Sequence, residues 1–455
     1  IMPSLVGSEM CIRDRCGGGR GHRVTRSGRS VSVTDTPSGI DGRRAWRAAD
    51  TATANGVLTG VRVLDLSRVL AGPFTAQILA DHGAEVIKVE APAGDETRGW
   101  GPPFVESGAG SAYYAGLNHS KENIGLDLAT DAGRDILREL LAGADVVIEN
   151  FKAGTMARWG FDFESVLTTI NPRLIYCRIT GFGVDGPLGG LPGYDAVLQS
   201  FGGLMSINGY PDRDPLRMGV PIVDLVAANL AVQGILLAML DRERSERGQL
   251  VDITLLDSVI SILRPHTANW IASGAVPTRT GDVHPTVVPY QVFAAKDGDF
   301  FVSAANDRQF RSLVTVLGLS ELGSDPRFAT NADRHAHRDE LIEALSARIA
   351  ERDREDLASA LEKVGVAASA VHTVDEALQS EQVRHRGLFL ETDEYRGIGV
   401  PITLSRSGYR TPRPAVPRGQ DTRGILGAMG FAVEEINALI ADGIAIDAPP
   451  AEDAR

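Results

Sequence analysis

Val61-Arg-Val-Leu-Asp-Leu66 is a short apolar run. It is followed by a loop, Ser67 to Leu70, by Ala71-Gly72-Pro73, and by an apolar-periodic stretch from Phe74 to His82 that ends at Gly83. A second apolar run, Glu85-Val-Ile-Lys-Val-Glu90, comes next. Pro73 suits the first turn of a helix and Gly83 its stop, so the stretch reads strand, helix, strand. Two strands joined by a helical crossover are parallel. The pattern repeats downstream. Asp131 to Leu141 is helical, Asp145-Val-Val-Ile-Glu149 a strand, Phe161 to Ile170 a helix, and Leu174 to Thr180 a strand. Alternation of this kind predicts an α/β fold with a doubly wound, mostly parallel sheet. Ligands of such sheets gather at the carboxyl ends of the strands. The loops to watch are therefore Ser67–Pro73, Asn150–Gly154 and Gly181–Asp195.

The chain has 455 residues, enough for two or three domains, with 43% apolar and 23% charged residues, an ordinary globular composition. Its formal net charge of −13 disfavours a nucleic-acid partner. Three cysteines, Cys11, Cys16 and Cys177, are too few for a disulfide framework and suit a reducing, cytoplasmic setting. Ile222 to Leu240 is long enough to span a membrane, but Asp224, Asn229 and Gln233 are costly in lipid. A buried helix is expected there and no membrane partner.

Residues 1–55 are rich in Arg, Gly, Ser and Thr and have no apolar period. Pro3 to Arg15 resembles an adapter read-through, so 1–55 is expected to be a disordered or artefactual tail. A transit peptide is the rival, opposed by Glu9, Asp14, Asp35 and Asp41. Cys11 and Cys16 lie in this tail and receive no metal role, and no metal site is expected elsewhere. Gly181-Phe-Gly-Val-Asp-Gly186 matches the dinucleotide fingerprint, but Pro187-Leu-Gly-Gly-Leu-Pro-Gly193 follows where a helix is required. It reads as a loop, with no nicotinamide or flavin. Asp224 stands at the start of the long apolar helix, where it is either an N-cap or a carboxylate nucleophile.

Val69-Leu-Ala-Gly-Pro73, Gly83 to Glu90, Asn123-Ile-Gly-Leu-Asp-Leu128, Asp145 to Phe151, Gly193-Tyr-Asp195, Val220-Pro-Ile-Val-Asp224, Arg247-Gly-Gln249, His284-Pro285, Pro289-Tyr290 and Asn306 to Phe310 stand in an order that resembles the family III CoA-transferases. The resemblance runs from about Gly56 to Gly443. It implies two subunits interlocked as rings in a homodimer. Each chain has a large Rossmann-like domain of N- and C-terminal segments and a smaller α+β domain. The expected divisions are 56–270 and 386–455 for the large domain and 271–385 for the small one with its linkers.

The implied reaction moves CoA from an acyl-CoA to a free carboxylic acid, with coenzyme A thioesters as substrates and no permanently bound cofactor. Asp224 then matches the catalytic carboxylate, which forms a mixed anhydride with the acyl group. Leu70, Ala71, Leu126, Asp127, Asn150, Phe151, Lys152 and Arg158 match positions that hold CoA, although Arg158 has a solvated-surface reading as well. Gly193, Tyr194 and Asp195 match the region of the pantetheine arm, and Asp195 also reads as a turn or cap carboxylate. Gly281, His284 and Pro285 are expected to form a substrate loop, or a plain turn.

Two departures stand out. Ala91 and Ala129 occupy places where relatives carry a cation for CoA phosphates, so Arg98, Lys121 or another residue is expected to substitute. The loop Gly281-Asp-Val-His-Pro285 replaces the glycine tetrad of formyl-CoA transferase, which points to a dicarboxylate or another medium-sized acid rather than formyl and oxalate. Rival readings are an α-methylacyl-CoA racemase and an inactive CoA-binding protein. Racemization needs a base on each face, and Tyr194 stands where those relatives have a histidine; a free tyrosine has a pKa near 10. Asp307, near where racemases place a glutamate, keeps that rival in play.

Overall fold

The computed structural model describes residues 56–393 and 395–448; the sequence-based reading of 1–55, Cys11 and Cys16 included, lies outside them. Six parallel strands form the main sheet: β1 (Arg62–Asp65), β2 (Glu85–Glu90), β3 (Glu122–Leu126), β4 (Val146–Glu149), β5 (Ile175–Thr180) and β6 (Leu250–Thr254). Their spatial order is β3-β2-β1-β4-β5-β6. Val63 sits opposite both Val86 and Val146, so β1 is flanked by β2 and β4. The chain winds outward from β1 in one direction and then restarts at β4 in the other.

Neighbouring residues on each strand feed opposite cores, as the two-residue period of a strand requires. Leu64, Ile87, Ile124 and Val147 face one layer; Val63, Val86, Val146 and Ile148 face the other. The first layer is closed by α2 (Asp131–Gly143), capped by Thr130, whose hydroxyl accepts from Gly133 N. The second is closed by α1 (Ala71–Asp81) and α4 (Ile222–Ser245), with the short α3 (Asp195–Phe201) preceding α4. α1 can begin tightly against the preceding loop because Gly72 has no side chain: a Cβ there would lie 2.2 Å from Ser67 Cβ.

A three-stranded antiparallel sheet follows, with β8 (Gly298–Ser303) between β7 (Tyr290–Ala295) and β9 (Ala367–Ala370). It packs with α5 (Asp307–Val316), α6 (Arg338–Ile349) and α7 (Arg354–Glu362) around Phe293, Phe300, Phe310 and Leu345. The chain then returns to the main sheet. α8 (Thr422–Met429) and α9 (Val433–Ala441) cover its first layer, and β10 (Ala445–Ile446) pairs antiparallel with β3.

Three local expectations change. Phe161 to Ile170 is not one helix: Phe161 turns into the core, Asp162 caps the next turn by accepting from Ser165 N, and Phe163–Leu167 forms a π turn before Thr168–Ile170. Asp224 is not the N-cap of α4. Pro221 holds that position and Asp224 is the third helical residue. α4 is also not buried all round. It is long and apolar enough to cross a membrane by length and composition, and Val223, Ala227, Ala231, Ile235 and Ala238 form its buried stripe. The opposite face leaves Leu237 68% and Leu240 60% exposed. An all-apolar helix reads as buried from sequence, whereas burial within one chain covers only one of its faces.

Gly125 on β3 sits where β10 crosses it, and a Cβ there would lie 2.5 Å from Ile446 Cβ. Gly125→Ala is expected to push β10 off the sheet edge at a cost of about 1–3 kcal/mol. A lower thermal midpoint with faster amide exchange at Ala445 and Ile446 checks this.

Candidate active site

The strand order reverses between β1 and β4. In a doubly wound sheet a crevice opens there, at the carboxyl ends of the strands. Its walls are the loop Ser67–Leu70 after β1 and the loop Asn150–Gly154 after β4. Asn150 ties the two together: its Oδ1 accepts from Arg68 N at 2.8 Å and its Nδ2 donates to Arg68 O at 2.7 Å.

The first loop is held from beneath by buried charge. Asp65, Lys88, Asp95 and Lys121 are all nearly inaccessible to water. Lys88 Nζ donates to Ser67 O at 2.8 Å and lies 3.7 and 3.6 Å from the Asp65 and Asp95 carboxylates. Lys121 Nζ donates to Asp65, Pro73 O and Asn118. Asp65 accepts from the N–H and hydroxyl of Ser67, and Asp95 accepts from Val69 N at 3.2 Å. Val69 is thereby fixed at φ +69°, which a β-branched residue rarely adopts. Burial by itself raises a carboxyl pKa. At Asp65, Lys121 and Lys88 outweigh it and hold the group below the ordinary carboxylate range. Burial pulls the Lys121 ammonium down to about 8.

Two neighbouring cavities occupy the crevice. One, of about 260 Å³, is lined by Leu70, Ala71, Asn150, Phe151, Lys152, Gly193, Tyr194 and Asp224 among the residues anticipated from sequence. The other, of about 370 Å³, is lined by Asp127, Phe151 and Lys152 together with Ala91, Gly94, Ala129 and Trp159. Three residues, Arg68, Phe151 and Lys152, line both. The Arg68 guanidinium lies 5.9 Å from the centre of the Phe151 ring, which meets Trp159 edge-on at 5.1 Å.

Other anticipated residues lie elsewhere. Leu126 is fully buried in β3 and lines neither cavity. Arg158 is exposed, and its Nη2 donates to Thr155 Oγ1. Gly281, His284 and Pro285 line neither cavity either. They form a turn in which His284 Nδ1 accepts from Thr286 N and Val287 N, and Gly281 N donates to Gly209 O. Asp307 pairs with the buried Arg334 at 2.8 Å.

The two cations expected to replace the missing phosphate ligands are engaged inside the protein. Arg98 makes a bidentate pair with Glu90 and also donates to Tyr114 Oη; Lys121 is the buried partner of Asp65. Burial opposes ionisation of Glu90, but Arg98 overrides it and draws its pKa down to about 2. The sequence reading passed over Arg68, the first residue of the β1 loop with an exposed side chain; only the strand order brings it to the reversal point.

Asp224 is half-buried on the cavity wall. Burial, and then the nearby Asp195 charge, push its pKa up to about 7, although a helix N-terminus by itself favours the ionised form. Asp195 accepts from Val223 N at 2.7 Å and Asp224 N at 3.3 Å, which makes it the acceptor for the first turn of α4. Tyr113 lies close enough to Asp224 and Asp195 that burial and their charges push its phenol up to about 12. Among the described residues no group of three or more His, Cys, Asp or Glu side chains is placed to hold a metal.

A parallel sheet with this reversal crevice, a carboxylate on its wall and exposed cations on the loops at its mouth is a frame for binding an anionic ligand. The profile of CoA-transferase family III matches residues 58–422, and the chain belongs to this family. It is accordingly a CoA-transferase, an enzyme class that uses CoA thioesters as substrates. It is 41% identical to the succinate–glutarate CoA-transferase of Agrobacterium fabrum, over 81% of this chain and 94% of the relative. It is 37% identical to the acetyl-CoA:oxalate CoA-transferase of Acetobacter aceti, over 84% and 98%. Among solved structures, a CAIB/BAIF family protein from Brucella suis superposes with a TM-score of 0.77 at 40% identity, over 82% of this chain and 100% of that one.

Removing the cation beneath the β1 loop tests how that loop is held. Lys88→Met leaves Asp95 without its ammonium partner and Ser67 O without a donor. The expected loss is about 3–5 kcal/mol of stability, the usual range for breaking a buried pair on one side. CoA affinity should fall with it. Thermal unfolding and calorimetric titration with CoA measure the two effects.

Proposed function

We propose that the protein transfers CoA from a dicarboxylic acyl-CoA, such as succinyl-CoA, to a small dicarboxylic acid, with Asp224 as the nucleophile. The observation that carries this reading is the Asp224 carboxylate on the wall of the reversal crevice, with a pKa near neutrality. The substrates for which the relatives are named, among them succinate, glutarate and oxalate, support the substrate class.

The path runs through Asp224 in balanced steps. One carboxylate oxygen attacks the thioester carbonyl carbon, the C–S bond breaks, and CoA leaves as thiolate from an aspartyl mixed anhydride. The thiolate attacks the aspartyl carbonyl and releases the donor acid, which leaves an aspartyl-CoA thioester. The acceptor carboxylate attacks this thioester and expels CoA to form a second anhydride. Attack of CoA on the acceptor's acyl carbon then frees Asp224. No general base is needed once Asp224 is ionised, because each attacking group is then an anion.

In this reading Arg68 and Lys152, which line both cavities, receive the CoA phosphates. Neither head group forms an ion pair among the described residues, and together they take the place of the cations missing at Ala91 and Ala129. Phe151 and Trp159 offer aromatic surface between the two cavities. Asp307 is engaged by Arg334 and lines neither cavity, which supports transfer over racemization.

The proposed assembly is a homodimer. Its support is the uncovered apolar face of α4, where Leu237 and Leu240 are exposed. An exposed apolar helix face of this kind marks an association site. Sedimentation is expected to give a dimer at low micromolar concentration, and Leu237→Glu, with a charge in that face, a monomer with little or no turnover.

Asp224→Asn is expected to lower transfer by several orders of magnitude, since the covalent path is removed, while CoA still binds. In the unaltered enzyme, acyl-CoA alone should load the protein, and hydroxylamine should convert the loaded aspartyl group to a hydroxamate. The attacking species is the carboxylate, so the rate of this loading step should rise with pH through a midpoint near 7. Turnover by Asp224→Asn, or a hydroxamate at another residue, would contradict the assignment.

A further inference from the structure

The start of α4 poses a problem for the proposed nucleophile. The first N–H groups of a helix have no partner within it, and the carboxylate of a third helical residue is well placed to accept from them. A carboxylate folded back onto its own helix end is hydrogen-bonded, less basic and turned from the cavity. Each donor that could hold Asp224 in this way is absent or taken. The cap residue is Pro221, which has no N–H. Ile222 N donates to Val220 O at 2.8 Å. Val223 N and Asp224 N donate to Asp195 Oδ2. The Asp224 carboxylate makes no hydrogen bond among the described residues and lines the cavity.

Asp195 is itself firmly held. Its Oδ1 accepts from Gln199 Nε2 at 2.5 Å, one turn along α3, and Gln199 Oε1 accepts from Met218 N at 2.8 Å in the segment that leads into α4. Gln199 is fully buried. The geometry points to Asp195 as a positioning residue: it occupies the helix-end donors of α4 and so keeps the Asp224 carboxylate unbonded and directed at the acyl group. This differs from the pantetheine contact implied by family resemblance, and it rests on the reading of Asp224 as nucleophile.

The groups facing Asp224 come from several elements. Asp195 on α3 is the anion whose charge acts on it. Tyr113, on the short helix Ala112–Asn118, faces it as a neutral phenol. Glu96, Arg68 and Lys152 line the same cavity, and Asp95 lies close enough to act on Tyr113 as well. A change at residue 195 therefore alters one charge in a defined set.

The test uses the full chain with Asp195→Ala and Asp195→Asn, succinyl-CoA as donor and glutarate as acceptor. Ala frees both donors, and the Asp224 carboxylate turns onto them. Asn keeps an oxygen acceptor at the helix end and gives up the charge and the Gln199 bond. For Asp195→Ala the expected kcat is about 100-fold lower, the scale of a misplaced reacting group, with KM for succinyl-CoA nearly unchanged. Asp195→Asn should restore kcat to within about tenfold of the unaltered enzyme. In both, the midpoint of the acyl-loading pH profile should move to lower pH.

A rise in KM with kcat preserved would make Asp195 a CoA contact and overturn the proposal. So would equal losses of kcat in the two variants with the midpoint unmoved. Should the Ala variant not fold by thermal melt, the Asn profile decides alone: a lowered midpoint with kcat kept supports the role, and an unmoved midpoint overturns it. Asp224→Asn is assayed in parallel. Turnover there would overturn the nucleophile, whereas its inactivity alongside unaffected Asp195 variants would overturn only the positioning role.

Discussion

Four charged groups with almost no access to water, Asp65, Lys88, Asp95 and Lys121, lie under the carboxyl end of β1. Charges in such a place are tolerated only when each is paired and hydrogen-bonded. The chain meets that condition by drawing backbone into the cluster: Ser67 N and O, Val69 N and Pro73 O are all partners. The loop that walls the crevice is therefore built as the solvation shell of a buried ion cluster. Its left-handed Val69 is held in place by the same bonds. Asn150 carries the constraint across to the β4 loop. Two loops far apart in sequence become one rigid rim.

The same economy explains why so little positive charge reaches the ligand. Lys88, Lys121 and Arg98 all point inward and neutralise Asp65, Asp95 and Glu90. The protein is acidic overall, yet its crevice exposes Arg68 and Lys152 on the two loops that the cluster fixes. Two cations on a rigid rim give an anionic ligand a fixed place. The same cations on mobile loops would first have to be ordered, at an entropic cost.

The alternating elements of the sheet were legible in the sequence because strand and helix periods differ and Gly83 marks a stop. The three loops named from that pattern include both walls of the crevice. The glycine-rich stretch after β5 was also readable as a loop, and no helix forms until Asp195. Other features depend on contacts no local pattern encodes. Arg98 and Lys121 look like free cations until Glu90 and Asp65 fold against them. Asp195 reaches Val223 across 28 residues, so its capping of α4 left no trace in the local sequence. Asp224 at the head of an apolar helix looks like a cap, and Pro221 three residues earlier takes that place. Phe161 looked helical by composition, but it satisfies the core better by turning in ahead of the Asp162 cap.

In its proposed role, Asp224 has a setting that resolves two opposing demands on a carboxylate that attacks a thioester. A helix N-terminus favours the ionised form but lowers its basicity, and a weakly basic carboxylate is a weak nucleophile. Burial beside another carboxylate raises basicity but reduces the fraction ionised. The product of the two is greatest when the pKa lies near the working pH. Asp224 sits at about 7 because its surroundings raise it while the helix end is spent on Asp195. One neighbouring carboxylate thus acts twice, as the acceptor that occupies the helix donors and as the charge that, after burial, helps keep the proposed nucleophile basic. An uncharged acceptor in its place would do only the first.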